Sequence, residues 1–174
     1  TGYGADLGTA WLDIIEPFAD YAFNRSHAYG YGLVAYQTAF LKANYPAEYL
    51  SALLTSVKSS LEKAAIYLAE CRAMGIEVTV PDVNRSLSDF APVLAQPNGD
   101  GATADAGASQ ILFGLSAVRN VGAGLVEFIL EARDDGGPFE DFYDFCQRVN
   151  TQVLNKRTIE SLIKAGAFDS MGHP

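Results

Sequence analysis

The stretch ILFGLSAVRNVGAGLVEFILEAR, residues 111–133, decides how the second half of this chain is expected to fold. An apolar turn runs into Asn120-Val121-Gly122-Ala123-Gly124, and an amphipathic helix follows directly. Because glycine has no Cβ and tolerates a positive φ, the backbone at Gly122 and Gly124 is able to come close to a bulky group. The pattern predicts a tight hairpin between two short helices.

The start of the second hairpin helix is expected to bind an anion. The amides of Gly122, Ala123 and Gly124 open that helix, so their N–H groups have no partner within it and lie at the positive end of its dipole. Helix starts of this kind hold phosphate, and Arg119, just ahead of the turn, adds a cation. The arrangement resembles the helix-hairpin-helix motif, which holds nucleic-acid backbones without reading sequence. A plain connection between helices, with glycine as a C-cap, is the alternative interpretation.

The composition is that of a folded protein, and its net negative charge disfavours binding to polyanions such as DNA. The 174 residues are 49% hydrophobic and 19% charged, which suffices for one large domain or two small ones. The net charge of −9 argues against binding of DNA through bulk electrostatics. Cations outnumber carboxylates locally in residues 147–168, so any contact with DNA is expected to be local.

Some classes of site and location are excluded by what the sequence lacks. Cys71 and Cys146 form no CxxC pair, and His27 and His173 add no ligand cluster, so a zinc site is not expected. No apolar run approaches the roughly 20 residues of a membrane-spanning helix, and no leader opens the chain, which predicts a soluble cytoplasmic protein without a membrane partner. Because the chain begins at Thr1 without Met, we expect it to be part of a longer protein.

The sequence pattern divides the chain into three regions of a mainly α fold. Apolar residues recur at helical spacing over residues 1–75, which predicts a helical subdomain. Alternating and β-branched residues over 76–113 predict a small antiparallel β insert, interrupted at 95–108 by a mobile loop rich in Gly, Ala, Asp and Asn. Helical spacing returns over 114–174, which holds the hairpin and the C-terminal helices.

Helix boundaries are predicted from capping residues. Ser59 and Glu62 have the spacing of a capping box, and Gly75 is expected to close the helix that follows. Asp141 and Asn155 are each expected to cap a helix at its N-terminus, because Asp and Asn side chains accept hydrogen bonds from the first amides of a helix.

A polar cluster precedes the helix that begins near residue 27. Asn24, Arg25, Ser26 and His27 fall within four residues at a turn that enters this helix. The structural interpretation is that Asn24 or Ser26 caps the helix. The functional interpretation places Arg25 on a phosphate, with Ser26 and His27 near a sugar or a base edge.

The last predicted helix begins with two adjacent cations, Lys156 and Arg157. Such a pair is typical of a solvated face, and contact with a nucleic-acid backbone is the alternative. The sequence contains no Walker A loop, nucleophile elbow, HExxH pair or paired-carboxylate metal site. The chain by itself therefore shows no catalytic apparatus.

Beyond the hairpin, the sequence resembles the C-family of bacterial replicative DNA polymerases, the family of the DNA polymerase III alpha subunit. The similar stretches follow one another in the expected order along nearly the whole chain, interrupted mainly by the 95–108 loop. They are residues 21–56, 67–86, 113–133, 137–149 and 154–172.

The resemblance implies a role for each polar cluster. Residues 1 to about 110 would be the later part of the fingers domain, in which Asn24, Ser26 and His27 border the incoming deoxynucleoside triphosphate, the last two near the position of a ribose 2′-OH. Arg25 would supply charge near the phosphates; many relatives have Lys there, and Arg changes the donor geometry. Gly122, Ala123 and Gly124 match the hairpin that holds the duplex or template backbone.

The resemblance also implies partners and a division of labour. The catalytic aspartates of the family, with their Mg²⁺ ions, belong to a palm domain that this sequence lacks, so no cofactor is expected here. The parent would be a DNA-directed DNA polymerase, a nucleotidyltransferase, and this chain alone is expected to be inactive. DNA, the rest of the polymerase chain, the sliding clamp and other holoenzyme subunits are the expected partners.

Three other interpretations stay open at this point. The chain is alternatively a stand-alone helix-hairpin-helix module for DNA binding or repair, an error-prone paralogue of the same polymerase family, or a helical interaction domain without a nucleic-acid role. The cluster at residues 24–27 favours the polymerase over a simple backbone-binding module, which has no use for it.

Overall fold

The computed structural model describes residues 4–19, 25–93, 110–149 and 154–172. This part of the chain is mainly helical, as predicted, and carries one small sheet. Its helices are α1 (Ala5–Ala19), α2 (Arg25–Asn44), α3 (Pro46–Ser56), α4 (Leu61–Ala73), α5 (Ala123–Gly136), α6 (Phe142–Arg148) and α7 (Lys156–Lys164). The strands are β1 (Glu77–Val78), β2 (Ala91–Val93) and β3 (Gln110–Leu112), and short 3₁₀ turns lie at Leu115–Ala117 and Asp169–Met171. The predicted loop at 95–108 lies outside the described residues.

The sheet is mixed rather than antiparallel, which corrects the sequence-based expectation. Its strand order is β1-β3-β2, and β3 pairs parallel with β1 and antiparallel with β2. The register places Val78 opposite Ile111 on one side and Pro92 opposite Ile111 on the other. A parallel pair needs a crossover of a dozen or more residues, and the chain between β1 and β3 is long enough to provide one.

The chain forms two compact units, Thr1–Phe40 and Leu41–Pro174. The boundaries predicted near residues 75 and 113 both fall inside the second unit. There the sheet shares a hydrophobic core with α3 and α4, because three short strands cannot bury enough apolar surface alone. The buried members of this first cluster are Ala47, Leu50, Leu54, Cys71, Ile76, Phe90 and Ile111.

A second core cluster in the same unit holds the hairpin. Val118, Val121 and Leu125 lie inward, so the turn is anchored by its apolar residues while Gly122 stays at the surface. The remaining buried members come mostly from α5, α6, α7 and the loops beside them. They are Val83, Leu115, Val126, Ile129, Phe139, Phe145, Val149, Leu162 and Ala167.

Two of the predicted N-caps are confirmed. Asp141 Oδ1 accepts from the Asp144 amide at 2.8 Å, and Asn155 Oδ1 accepts from the Thr158 amide at 2.9 Å. Gly75, with φ of +72°, follows the last turn of α4 as predicted. The Asp141 and Asn155 side chains accept hydrogen bonds from helix-start amides, and Gly75 adopts the positive φ that ends a helix.

The predicted capping box at the start of α4 is wrong. The N-cap is Ser60, whose side chain makes no capping hydrogen bond. Ser60 donates its amide to the Val57 carbonyl at 2.8 Å, so Ser59 belongs to the preceding turn and α4 begins one residue later. Glu62 is then the second helical residue rather than the third, and it cannot close the reciprocal pair.

The first unit exposes much apolar surface. Trp11, Leu12 and Ile15 on α1 are all more than half exposed, as are Tyr29 and Tyr36 on α2. No side chain of α2 is buried. An exposed apolar surface of this extent usually marks a face that another protein segment covers. Among the described residues, no helix is both long and apolar enough to cross a bilayer.

Candidate nucleic-acid interface

The hairpin turn differs in backbone detail from its prediction. The segment before it is a 3₁₀ turn of three residues rather than a helix. The residue with a positive φ in this turn is Asn120, at +65°, whereas Gly122 has φ of −85° as the N-cap of α5. Asn is the residue after Gly that best tolerates the left-handed region, so the turn needs no glycine there.

Gly122 and Gly124 keep the start of α5 bare. A Cβ built on either glycine would meet nothing within 4 Å, and both residues are exposed together with Ala123. Packing within the described chain therefore gives no reason for glycine at these two positions. The lack of a side chain at these positions would matter for a ligand that approaches the start of α5 closely.

The amides at this helix start are available to a ligand. Among the described residues, the N–H groups of Gly122, Ala123 and Gly124 donate no backbone hydrogen bond. The first pairing of the helix is made further along, where the Leu125 and Val126 amides donate to the Gly122 carbonyl at 3.1 and 3.2 Å. Three free donors at the positive end of a helix dipole form a suitable site for a phosphate.

The turn is fixed to α7 by polar contacts. Asn120 Nδ2 donates to Ser161 Oγ at 3.0 Å. Thr158 Oγ1 lies 3.1 Å from both the Asn120 carbonyl oxygen and Asn155 Oδ1. Since Thr158 is buried, these bonds satisfy its hydroxyl and hold the left-handed residue in place.

A cleft of about 970 Å³ lies between this hairpin, α7, α4 and the sheet. Among the described residues, its lining includes the cations Arg72, Arg119, Arg157 and Lys164 and a single carboxylate, Glu77. The structure thus brings together two predicted DNA-binding residues, Arg119 from the hairpin turn and Arg157 from α7. It adds Arg72 and Lys164, which sequence reasoning did not select because nothing in the spacing links α4 to α7.

Lys156 and Arg157 separate, although they are adjacent in sequence. Arg157 lines the cleft, whereas Lys156 does not. Lys156 Nζ lies 3.9 Å from Glu160 Oε1 on the solvent side of α7. Successive helical residues do not share a face, so the predicted pair of cations offers only one to the cleft.

Arg148, another cation of the C-terminal region, makes hydrogen bonds within the fold. The Arg148 guanidinium donates to the carbonyls of Ala132, Gly137 and Pro138 and to Asp144 Oδ2. Its Cζ also lies 4.5 Å from the centroid of the Phe139 ring. Arg148 thus joins the end of α5 to α6 and is not free for DNA.

The predicted nucleotide-binding residues lie at the start of α2, in the first unit. Asn24 lies outside the described residues, and Arg25, Ser26 and His27 are exposed in the first turn. The His27 ring centroid lies 4.4 Å from that of Tyr31. Arg25 lines a shallow depression on one face of α2, together with Ala28, Tyr29, Gly32 and Leu33.

The sequence of this chain is similar to a known family model and to several known proteins. A family model described as the helix-hairpin-helix motif matches residues 75–174. The chain is 56% identical over 94% of its length to the DNA polymerase III subunit alpha of Saccharopolyspora erythraea, covering 12% of that protein. It is 54% identical over 99% of its length to the same subunit of Mycobacterium tuberculosis H37Rv, covering 13% of it. For the Escherichia coli K12 subunit the identity is 41% over 98% of the chain and 14% of the relative.

The similarity is therefore not confined to the hairpin. It extends over both compact units, which argues against a stand-alone hairpin module, yet the chain spans only 12 to 14% of the length of these curated relatives. The chain belongs to the helix-hairpin-helix family and, along nearly its whole length, to the family of bacterial DNA polymerase III alpha subunits, of whose members it spans one segment.

Proposed function

We propose that this chain is a segment of a bacterial replicative DNA polymerase and that it holds the DNA backbone through the hairpin at residues 120–124. The bare start of α5 carries the proposal. Its glycines have open space where a side chain would stand, and its first three amides have no backbone partner among the described residues. A sugar-phosphate chain would fill that space, and its phosphate oxygens would accept hydrogen bonds from those amides.

Contacts of this kind hold DNA without reading its sequence. Backbone amides and nearby cations bind phosphate oxygens, which are the same at every base pair. A replicative polymerase must move along any sequence, so this mode of binding suits the parent enzyme. The net charge of −9 limits the interaction to the few phosphates near the turn.

The start of α2 is proposed to border the incoming deoxynucleoside triphosphate. Arg25 would offer a cation to the phosphates, and Ser26 and His27 would lie near the sugar, together with Asn24. Exposure of the three described residues in one helical turn supports this assignment, as does the similarity to polymerase subunits across this part of the chain.

The chemistry of the parent is proposed to take place on other domains. The DNA-directed polymerase activity and its Mg²⁺ ions would belong to the palm, and we expect the isolated segment not to extend a primer. The exposed apolar faces of α1 and α2 are proposed to pack against the remaining polymerase chain. Contacts with the sliding clamp and other holoenzyme subunits would be made by the assembled protein.

Binding of primer–template duplex by the full polymerase chain tests the role of the hairpin. Gly122→Asp places a carboxylate where the phosphate is proposed to lie, so affinity is expected to fall about 10- to 100-fold, as for loss of a charge-assisted hydrogen bond. Gln147→Glu is the matched control, because it adds the same charge at an exposed position on α6. Equal effects of the two substitutions in a fluorescence anisotropy titration would overturn the proposal.

A further inference from the structure

The cleft beside the hairpin concentrates positive charge in an acidic protein. Within the described residues, Arg72, Arg119, Arg157 and Lys164 form no ion pair, although the whole chain has a net charge of −9. Of the eight cations outside the cleft, four lie within ion-pair distance of a carboxylate, namely Lys42, Lys58, Arg148 and Lys156. Unpaired cations that converge on one concave surface indicate an anionic occupant.

The floor of the cleft indicates what kind of anion this is. Apolar side chains, among them Val78, Val80 and Phe113, also line the cleft and make up its apolar floor. Val80 is 60% exposed, so part of this apolar surface is open to a ligand. Duplex DNA presents phosphates with its bases stacked inside, whereas a single strand presents base faces to apolar and aromatic side chains and phosphates to cations.

The position of the cleft links it to the hairpin. Arg119 and Asn120 belong to the hairpin turn and also line the cleft, and the Asn120–Ser161 bond fixes the turn to α7, which supplies Arg157 and Lys164. The turn and the cleft therefore share Arg119 and Asn120, so a strand held at the turn lies next to the cleft.

We infer that this cleft binds single-stranded DNA, with the sugar-phosphate chain on Arg72, Arg119, Arg157 and Lys164 and the bases against the apolar floor. The inference rests on the proposed function for its polymerase context. It adds to the backbone contact at the hairpin a second site, for an unpaired strand.

Neutralisation of two cations that lie outside the hairpin tests the inference. Arg72→Gln with Lys164→Gln, in the full polymerase chain, is expected to weaken binding of a single-stranded oligonucleotide about tenfold. It should also reduce the slope of log affinity against log salt by about 1.4, and leave duplex affinity nearly unchanged. Lys63→Gln with Arg85→Gln removes the same charge from exposed positions outside the cleft and is the matched control. Thermal unfolding of each variant verifies folding.

A second measurement localises the strand if other domains also bind DNA. A photo-crosslinking residue at position 80, in the cleft, is expected to join single-stranded DNA, whereas one at exposed position 87, outside it, is not. The crosslink should decrease in the Arg72→Gln, Lys164→Gln variant. The inference fails if position 80 crosslinks only to duplex DNA, only to protein, or to nothing.

The two proposals fail in different ways. Gly122→Asp acts on the hairpin and should reduce duplex binding, whereas the cleft variant should reduce single-strand binding. If only the first effect is seen, the hairpin keeps its function and the cleft inference is overturned. If only the second is seen, the hairpin proposal is overturned instead.

Discussion

The side chains of Asn120 and Ser161 are joined by a hydrogen bond of 3.0 Å, which connects the left-handed residue of the hairpin turn to the middle of α7. Because Thr158 contacts the carbonyl of the same asparagine, one residue of the turn is held from both its side chain and its backbone. The orientation of the bare start of α5 thus depends on α7, and changes in α7 are expected to reach the DNA contact.

Asn120→Ala is expected to destabilise the second unit by about 1–3 kcal/mol. The variant loses the bond to Ser161 and places an ordinary residue at a φ of +65°, which costs roughly 1–2 kcal/mol by itself. Asn120→Gly loses the same bond without the backbone cost and should be less destabilised, and Ser161→Ala loses only the bond. Urea unfolding of the three variants gives this order; a glycine variant no more stable than the alanine variant would contradict it.

Two glycine-to-alanine substitutions should differ in their effect on the stability of the fold. At Gly114 a Cβ would lie 2.6 Å from the Asp89 carbonyl carbon, so Gly114→Ala should destabilise the fold by about 1–3 kcal/mol through overpacking. At Gly124 the same Cβ meets nothing, so Gly124→Ala should leave stability unchanged or slightly raised while it weakens duplex binding. Denaturant midpoints and DNA titrations of both variants check this. Loss of stability at Gly124 would show that the position serves the fold.

Arg148→Lys is expected to destabilise the junction of α5 and α6 by about 1–3 kcal/mol. Lysine keeps the charge, but it cannot reproduce the fork of donors that reaches the Ala132, Gly137 and Pro138 carbonyls. Arg157→Lys is the matched control, since Arg157 is exposed and lines the cleft. Chemical denaturation should separate the two, and equal stabilities would exclude the structural role assigned to Arg148.

The Asp144 carboxyl should contribute to stability in a pH-dependent way. The Glu140 amide donates to it at 3.1 Å and lowers its pKa below the ordinary value of 3.8; desolvation opposes this, and the Arg148 contact adds to it. Because the folded-state pKa is depressed, the contribution is complete above 3.8 and is lost as the pH falls through the folded value.

Comparison of the wild-type chain with Asp144→Asn tests this dependence. The wild type should be the more stable at neutral pH, and the difference in unfolding free energy should shrink as the pH falls below 3.8. All other titrating groups are the same in the two chains, so their contributions cancel when the unfolding free energies are subtracted at each pH. A difference that stays constant across this range would falsify the assignment.

Several local features could be predicted because their causes lie within a few residues. Asp141 and Asn155 cap α6 and α7 as predicted, since an N-cap depends only on one side chain and the next three amides. The capping box at Ser59 failed for a similar local reason, because the preceding turn extends to Ser60 and shifts the helix start. The parallel pairing of β1 with β3 depends instead on the path of the intervening chain, which no local pattern encodes.

The amino-acid order by itself determined the family, the mainly helical class and the position of the glycine turn, because each is encoded in short-range spacing and in motif order. Only the tertiary structure decided that Asn120 rather than a glycine takes the left-handed conformation, and that Arg72 and Lys164 meet Arg119 and Arg157 at one cleft. The physical reason is that long-range packing of α4, the sheet and α7 sets which exposed charges share a surface, and residues far apart in sequence carry no mutual signal of that proximity.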